Sequence, residues 1–241
     1  TRVVGVITRT DLLRAWHDDV LRSVKIRPKV LDPTGVPGPL HHRNLKRQLQ
    51  EKLPPPLFTL LKEAGQLADR LDLPLYVVGG CVRDLLLGIE NLDLDLVVEG
   101  DGIAFARKLA AEQSGRVKAH ERFGTAVIVL PYGFKLDVAT ARTEYYEYPT
   151  ALPTVEQSSI KKDLYRRDFT INAIAYRLKD GRIVDLYGGE EDIAKKRLRA
   201  VGEATERFHE DALRMMRAVR LAVRLEFTIE SGTMTAITQN A

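Results

Sequence analysis

The 241-residue chain carries 37 lysines and arginines against 33 aspartates and glutamates, a net charge of +4 with a pI near 9.1; its 44% hydrophobic content can bury a core and excludes intrinsic disorder. The single cysteine, Cys81, excludes an internal disulfide framework and suits a reducing cytosol. No apolar run nears the roughly 18 residues of a membrane span, so a soluble, cytoplasmic protein without a membrane partner is expected, and the mild basic excess favours a polyanion such as RNA without proving one.

In chain order, the stretch from Val3 to Asp19 reads as a short β-branched strand, a turn, and a helix capped by Thr10 or Asp11. Scattered prolines, from Pro28 to the run Pro54-Pro55-Pro56, mark residues 23–56 as a linker. LFTLLKEAGQLADRL has the three- and four-residue apolar spacing of an amphipathic helix, broken at Asp72 and Pro74 before the strand LYVV. A Gly-Gly turn and helix, the strand LDLVV, the helix IAFARKLAAEQ and strands around TAVIVL and FKLDVAT come next. The polar, proline-bearing segment from Tyr145 to Ser159 is expected to be loop. AIAYRL and RIVDLY flank Asp180-Gly181 as a hairpin, and residues 190 to 224 are strongly helical. The class is α+β, a small mixed sheet flanked by helices and followed by a helical module.

Several short segments carry chemistry. Gly79 and Gly80 lie between a strand and a helix whose first turn holds Arg83, so backbone N–H groups, the positive helix end and a guanidinium can meet one anion; a plain glycine turn with a solvated arginine is the other reading. Asp93 and Asp95, two apart on an expected strand, place both carboxylates on one face while Leu94 and Leu96 turn into the core. Such a pair can hold Mg²⁺, with two ions serving an in-line displacement, and Asp137 is the best-placed third carboxylate. A lone Asp-x-Asp is also compatible with a solvated strand face.

The run RRDFTINAIAY offers Arg166 and Arg167 to phosphate, and Asp168 and Asn172 to a ribose hydroxyl pair, or else a charged loop with a capped turn. In HEDALRMMRAVR, Asp211 and Arg214 stand three apart on an expected helix. Together they can match the Watson–Crick edge of cytosine or adenine; taken alone they can equally be a surface ion pair.

The order GGCVRDLLLG, LDLDLVV, RRDFTINAIAY, DLYGGEEDI, HEDALRMMRAVR resembles the head and neck of the class II tRNA nucleotidyltransferases and bacterial poly(A) polymerases, of the polymerase β superfamily. The resemblance implies a head over 57–188 and a helical neck over 189–241. It assigns the metals to Asp93 and Asp95, triphosphate to Arg83, ribose and phosphates to the stretch from Arg166 to Asn172, and base selection to Glu210, Asp211 and Arg214. Asp185 to Asp192 matches an element thought to let the head adjust between additions. The implied activity is transfer of AMP, with CMP as a further candidate, from ATP or CTP to an RNA 3′ end, foremost that of tRNA. A poly(A) polymerase acting on other RNA, a nucleotide-sensing module without transfer, and a small-molecule nucleotidyltransferase are the alternatives. Residues 1–22 are similar to the last strand and helix of a CBS domain. Beginning at Thr1 and ending at Ala241 in a polar segment, the chain reads as a piece of a longer protein whose helical body and tail lie elsewhere.

Overall fold

The computed structural model describes residues 45–145 and 153–240. The strand and helix expected before residue 20, and with them the CBS-like reading, lie outside the described residues. The expected linker is corrected at its C-terminal end, since Leu45–Lys52 forms a helix (α1). Pro55 and Pro56 open the next helix, α2 (Pro55–Arg70), in a first turn where the missing N–H of proline costs nothing. Helix α2 buries Leu57, Leu60, Leu61, Ala64, Leu67 and Ala68 along one stripe, the pattern its spacing predicts.

A seven-stranded sheet follows, with spatial order β3-β4-β5-β2-β1-β8-β9. Its strands are β1 (Leu75–Val78), β2 (Asp95–Val98), β3 (Arg116–His120), β4 (Thr125–Val129), β5 (Lys135–Thr140), β8 (Ile174–Arg177) and β9 (Ile183–Asp185). All neighbours are antiparallel except β2 and β5, which run parallel with Asp95 opposite Asp137. Helix α3 (Gly80–Leu86) connects β1 to β2, and α4 (Gly102–Glu112), capped by Asp101 Oδ1 on the Ala104 N–H, connects β2 to β3. The hairpin of β8 and β9 turns at Gly181, whose φ of +72° a side chain would resist.

Two strands depart from the sequence expectation. The segment from Tyr145 to Ser159 is not all loop, because β6 (Arg142–Tyr145) pairs with β7 (Thr154–Gln157), which holds only one apolar residue and gives little strand signal. Strand β3 was likewise unforeseen, being a polar edge strand with only Val117 and Ala119 turned inward.

The sheet uses its two faces differently. Leu75, Val77, Leu96, Val98, Ile128, Leu136 and Val138 point to the face covered by α2 and α4, where Phe105 and Leu109 complete the core. Tyr76, Val78, Val97 and Ala175 point the other way, onto α5 (Ile160–Tyr165) and Val201, which cover only part of that face. Beyond the hairpin come α6 (Gly189–Ala194), α7 (Ala204–Glu210), α8 (Leu213–Leu225) and α9 (Ser231–Asn240), with a parallel pair β10 (Arg197–Leu198) and β11 (Thr228–Ile229) between them. Among the described residues no helix is long and apolar enough to cross a membrane.

Candidate active site

Strand β1 ends at Val78, and Gly79 turns the chain with φ +73° and ψ −136° into the buried helix α3. The glycine is needed for its backbone and for its space. A methyl there would stand 3.1 Å from Arg167 Nη1 and 3.8 Å from Asp95 Oδ2, so the Gly-Gly turn, the second arginine of RRD and the acidic strand meet at one point.

Asp95 is the first residue of β2, and Asp93 lies just before the strand rather than in it. The alternation still holds, with Leu94 and Leu96 buried, Asp93 exposed and Asp95 between those extremes. Burial pushes the Asp95 carboxyl up to about 6, and the charges of Asp93 and Asp137 act in the same direction while Arg167 opposes them. The Asp137 carboxyl is raised too, by burial and then by Asp93. At Asp95 and Asp137, carboxylates raised by burial and by neighbouring negative charge are donors whose ionisation a divalent cation would favour. Among the described residues no three His, Cys, Asp or Glu side chains enclose an ion by themselves.

Beside this cluster opens a cleft of about 410 Å³ lined by Gly79, Gly80, Arg83, Asp95, Arg166, Arg167, Asp168, Asn172, Asp211 and Arg214. Glu144, Arg217, Arg220, Leu221 and Arg224 line it as well. These last five went unread in the sequence, although Arg214, Arg217, Arg220 and Arg224 stand three or four apart in α8 and so share a face. Of the expected residues, Asp93, Asp137 and Glu210 are not on the cleft wall; Asp137 flanks Asp95 in the next strand and Glu210 stands behind Arg214.

The cleft is braced by buried polar contacts. Arg83 Nε donates to Asp84 Oδ1 at 2.7 Å and its Nη1 to Asn172 Oδ1 at 2.6 Å. Asn172 Nδ2 then donates to Asp168 Oδ1 at 3.1 Å, and Arg217 Nε reaches Asp168 Oδ2 at 2.9 Å, so a continuous relay joins α3 to α8 across the cleft floor. Arg166 and Arg167 are both held by the wholly buried Asp163, at 2.7 and 2.9 Å, and Arg166 also reaches Glu144 at 2.8 Å. Burial alone would raise the Asp163 carboxyl, but Arg167 and Arg166 outweigh it and hold it below its ordinary value.

The segment expected to read the base departs from the single helix expected. Helix α7 ends at Glu210, Asp211 is extended, and α8 begins at Leu213, whose N–H donates to Asp211 Oδ1 at 2.9 Å. A side-chain acceptor competing with the helix ladder makes this break. Asp211 and Arg214 still face the cleft together. Arg214 is fixed at both Nη atoms, donating to Glu210 Oε2 at 2.8 Å and to the Arg166 carbonyl at 3.0 Å. The segment Asp185 to Asp192 is tied at each end. Asp185 accepts the N–H groups of Gly189 and Glu190 at 2.9 and 2.8 Å, and buried Asp192 accepts Thr170 Oγ1 at 2.6 Å.

A family model described as the poly(A) polymerase head domain matches residues 75–199, more than half of the chain, and takes in the Gly-Gly turn, the acidic strand and the RRD segment together. The chain belongs to the poly(A) polymerase head family. The chain is 48% identical over 235 residues to an A-adding tRNA nucleotidyltransferase of Geobacter sulfurreducens, a match covering 96% of this chain and 26% of that protein. A second A-adding tRNA nucleotidyltransferase, of Halalkalibacterium halodurans, is 40% identical over 196 residues, with 80% of this chain and 45% of the relative covered. Among solved structures, the Thermotoga maritima CCA-adding enzyme complexed with tRNA superposes with a TM-score of 0.72 at 39% identity, covering 82% of this chain and 45% of that one. The chain thus spans between a quarter and a half of the length of these relatives.

Proposed function

We propose that the chain carries the catalytic head of a template-independent nucleotidyltransferase that transfers AMP to the 3′-hydroxyl of tRNA and releases pyrophosphate, with CMP as the second nucleotide to test. One observation carries the reading. The Asp95 carboxylate, the Gly79 turn and Arg167 meet at one point of a cleft whose other wall bears Asp211 and Arg214. The names of the relatives, two of them A-adding and one a CCA-adding enzyme seen with tRNA, point the same way.

In this reading the triphosphate lies against Gly79, Gly80 and Arg83, with Arg166 and Arg167 neutralising its charge. Asp168 and Asn172 orient the ribose. Asp211 accepts from an exocyclic amino group while Arg214, anchored by Glu210, donates to the ring, so uracil is disfavoured by its O4. Asp93 and Asp95 would hold divalent cations, and two Mg²⁺ are the specific proposal. Bound there, such ions lower the pKa of the attacking hydroxyl and balance charge on the leaving pyrophosphate. The 3′-oxygen bonds to the α-phosphorus as the bond from that phosphorus to the bridging oxygen breaks. Asp137, beside Asp95, accepts the hydroxyl proton.

The test offers full-length protein tRNAs ending before, within and one nucleotide short of CCA, with ATP and CTP separately, and sequences the products. Asp95→Ala is expected to abolish incorporation and keep the parent's circular dichroism. Undiminished incorporation in that variant removes the proposal.

A further inference from the structure

Cross-strand register carries the acidic cluster outward along the sheet. Asp95 stands opposite Asp137, Asp137 opposite Val127, and Val127 opposite Lys118, so one row runs over β2, β5, β4 and β3. Residues directly opposite in a ladder share a face. The neighbouring row on that face holds Lys135, Val129 and Arg116. At about 4.8 Å per strand, Lys118 lies about 14 Å from Asp95, a span of roughly four stacked nucleotides at 3.4 Å each.

The two faces of these strands differ sharply in cover. Ala126, Ile128, Leu136 and Val138 are sealed beneath α4, whereas Val127 and Val129 on the other face are only half-buried and Arg116, Lys118 and Lys135 are exposed. No acidic side chain pairs with Arg116 or Lys118 among the described residues. A half-apolar floor edged by cations suits the backbone of a single-stranded nucleic acid.

The reaction geometry selects the same flank. An in-line displacement brings the nucleophile to the α-phosphorus from the side opposite the leaving group. The anion-binding turn at Gly79 and Arg83 lies on the β1 side of Asp95, so the hydroxyl must approach from the β5 side. We propose that the face formed by β5, β4 and β3 is the track for the 3′-terminal nucleotides of the acceptor RNA. Arg116, Lys118 and Lys135 hold its phosphates, and Val127 and Val129 form its floor.

This inference rests on the transfer reading, and its test separates the two. The full-length triple variant Arg116→Ser, Lys118→Ser, Lys135→Ser is assayed with tRNA lacking its terminal adenosine. The KM for tRNA is expected to rise roughly tenfold or more, with the KM for ATP unchanged. Loss of three phosphate contacts, each contributing about 0.7 to the slope of log affinity against log salt, should make that slope shallower by about 2. A control variant, Lys179→Ser, Arg182→Ser, Lys195→Ser, removes equal charge from the far side of the sheet and from the residue that follows α6. Unchanged tRNA KM and salt slope in the first variant, or equal losses in the control, overturn the track and leave the transfer reading standing. Incorporation by Asp95→Ala overturns the transfer reading and the track with it.

Discussion

At Asp95, the placement that suits chemistry works against folding. Its folded pKa of about 6 exceeds the ordinary 3.8, so between those values the folded state binds more protons than the unfolded one, and stability falls as pH rises through that window. Above it the ionised carboxylate costs the metal-free fold up to about 3 kcal/mol. Asp95→Asn should therefore be more stable than the parent by roughly that amount in urea unfolding at pH 7.5 with chelator, although inactive; equal stability would contradict the electrostatic account. Asp163 has the opposite sign. Burial is its largest influence and raises it, but Arg167 and Arg166 together bring it below 3.8, so its contribution is present at neutral pH and is lost as pH falls through the folded value. Removing one partner of a buried ion cluster costs about 3–5 kcal/mol. Asp163→Ala should lose that much at pH 7, and the gap from the parent should narrow below pH 4; a gap independent of pH would show that charge is not its origin.

At the scale of elements, the junction of α7 and α8 has a structural bond and a proposed part in recognition at the same side chain. Asp211 Oδ1 accepts the Leu213 N–H, and asparagine has the same acceptor in the same place, so Asp211→Asn should stay within about 0.5 kcal/mol of the parent in stability. It replaces an acceptor-only group with one that also donates, so discrimination between ATP and UTP should weaken; unchanged nucleotide preference would remove Asp211 from base selection. The sequence hid this break because Ala212 and Leu213 are good helix formers and only the side-chain bond interrupts them. Helices α2 and α4 and the Asp180-Gly181 hairpin were legible from periodicity and turn chemistry. Strands β3 and β7 were not, since their polar residues face outward and few apolar ones mark the inner side. At the site, the Gly-Gly turn, Asp95 and RRD could be read as motifs. Arg217, Arg220 and Arg224 could not, because arginines at helical spacing look like a solvated face until the cleft beside them is known.

Across the whole molecule, the helical module does not behave as a separate body. The family match ends at residue 199, yet Phe208, Ala218, Phe227 and Ala236 join the same apolar cluster as Leu60, Leu96 and Leu109 of the sheet domain. The relay from Arg83 through Asn172 and Asp168 to Arg217 crosses the same boundary, so the wall proposed to read the base and the turn proposed to hold phosphate are joined by one chain of hydrogen bonds. Phe208 is 2% exposed, and truncating a buried phenylalanine costs about 3–5 kcal/mol. Because the apolar cluster it joins spans both parts, that loss should lower a single cooperative transition rather than melt the neck alone. Circular dichroism at 222 nm and tyrosine fluorescence, which reports largely on the head, should therefore shift together in Phe208→Ala. If the fluorescence transition stayed at the parent's midpoint while the helical signal moved, the head would be folding without its neck, and the cleft would be an assembly of two independent parts.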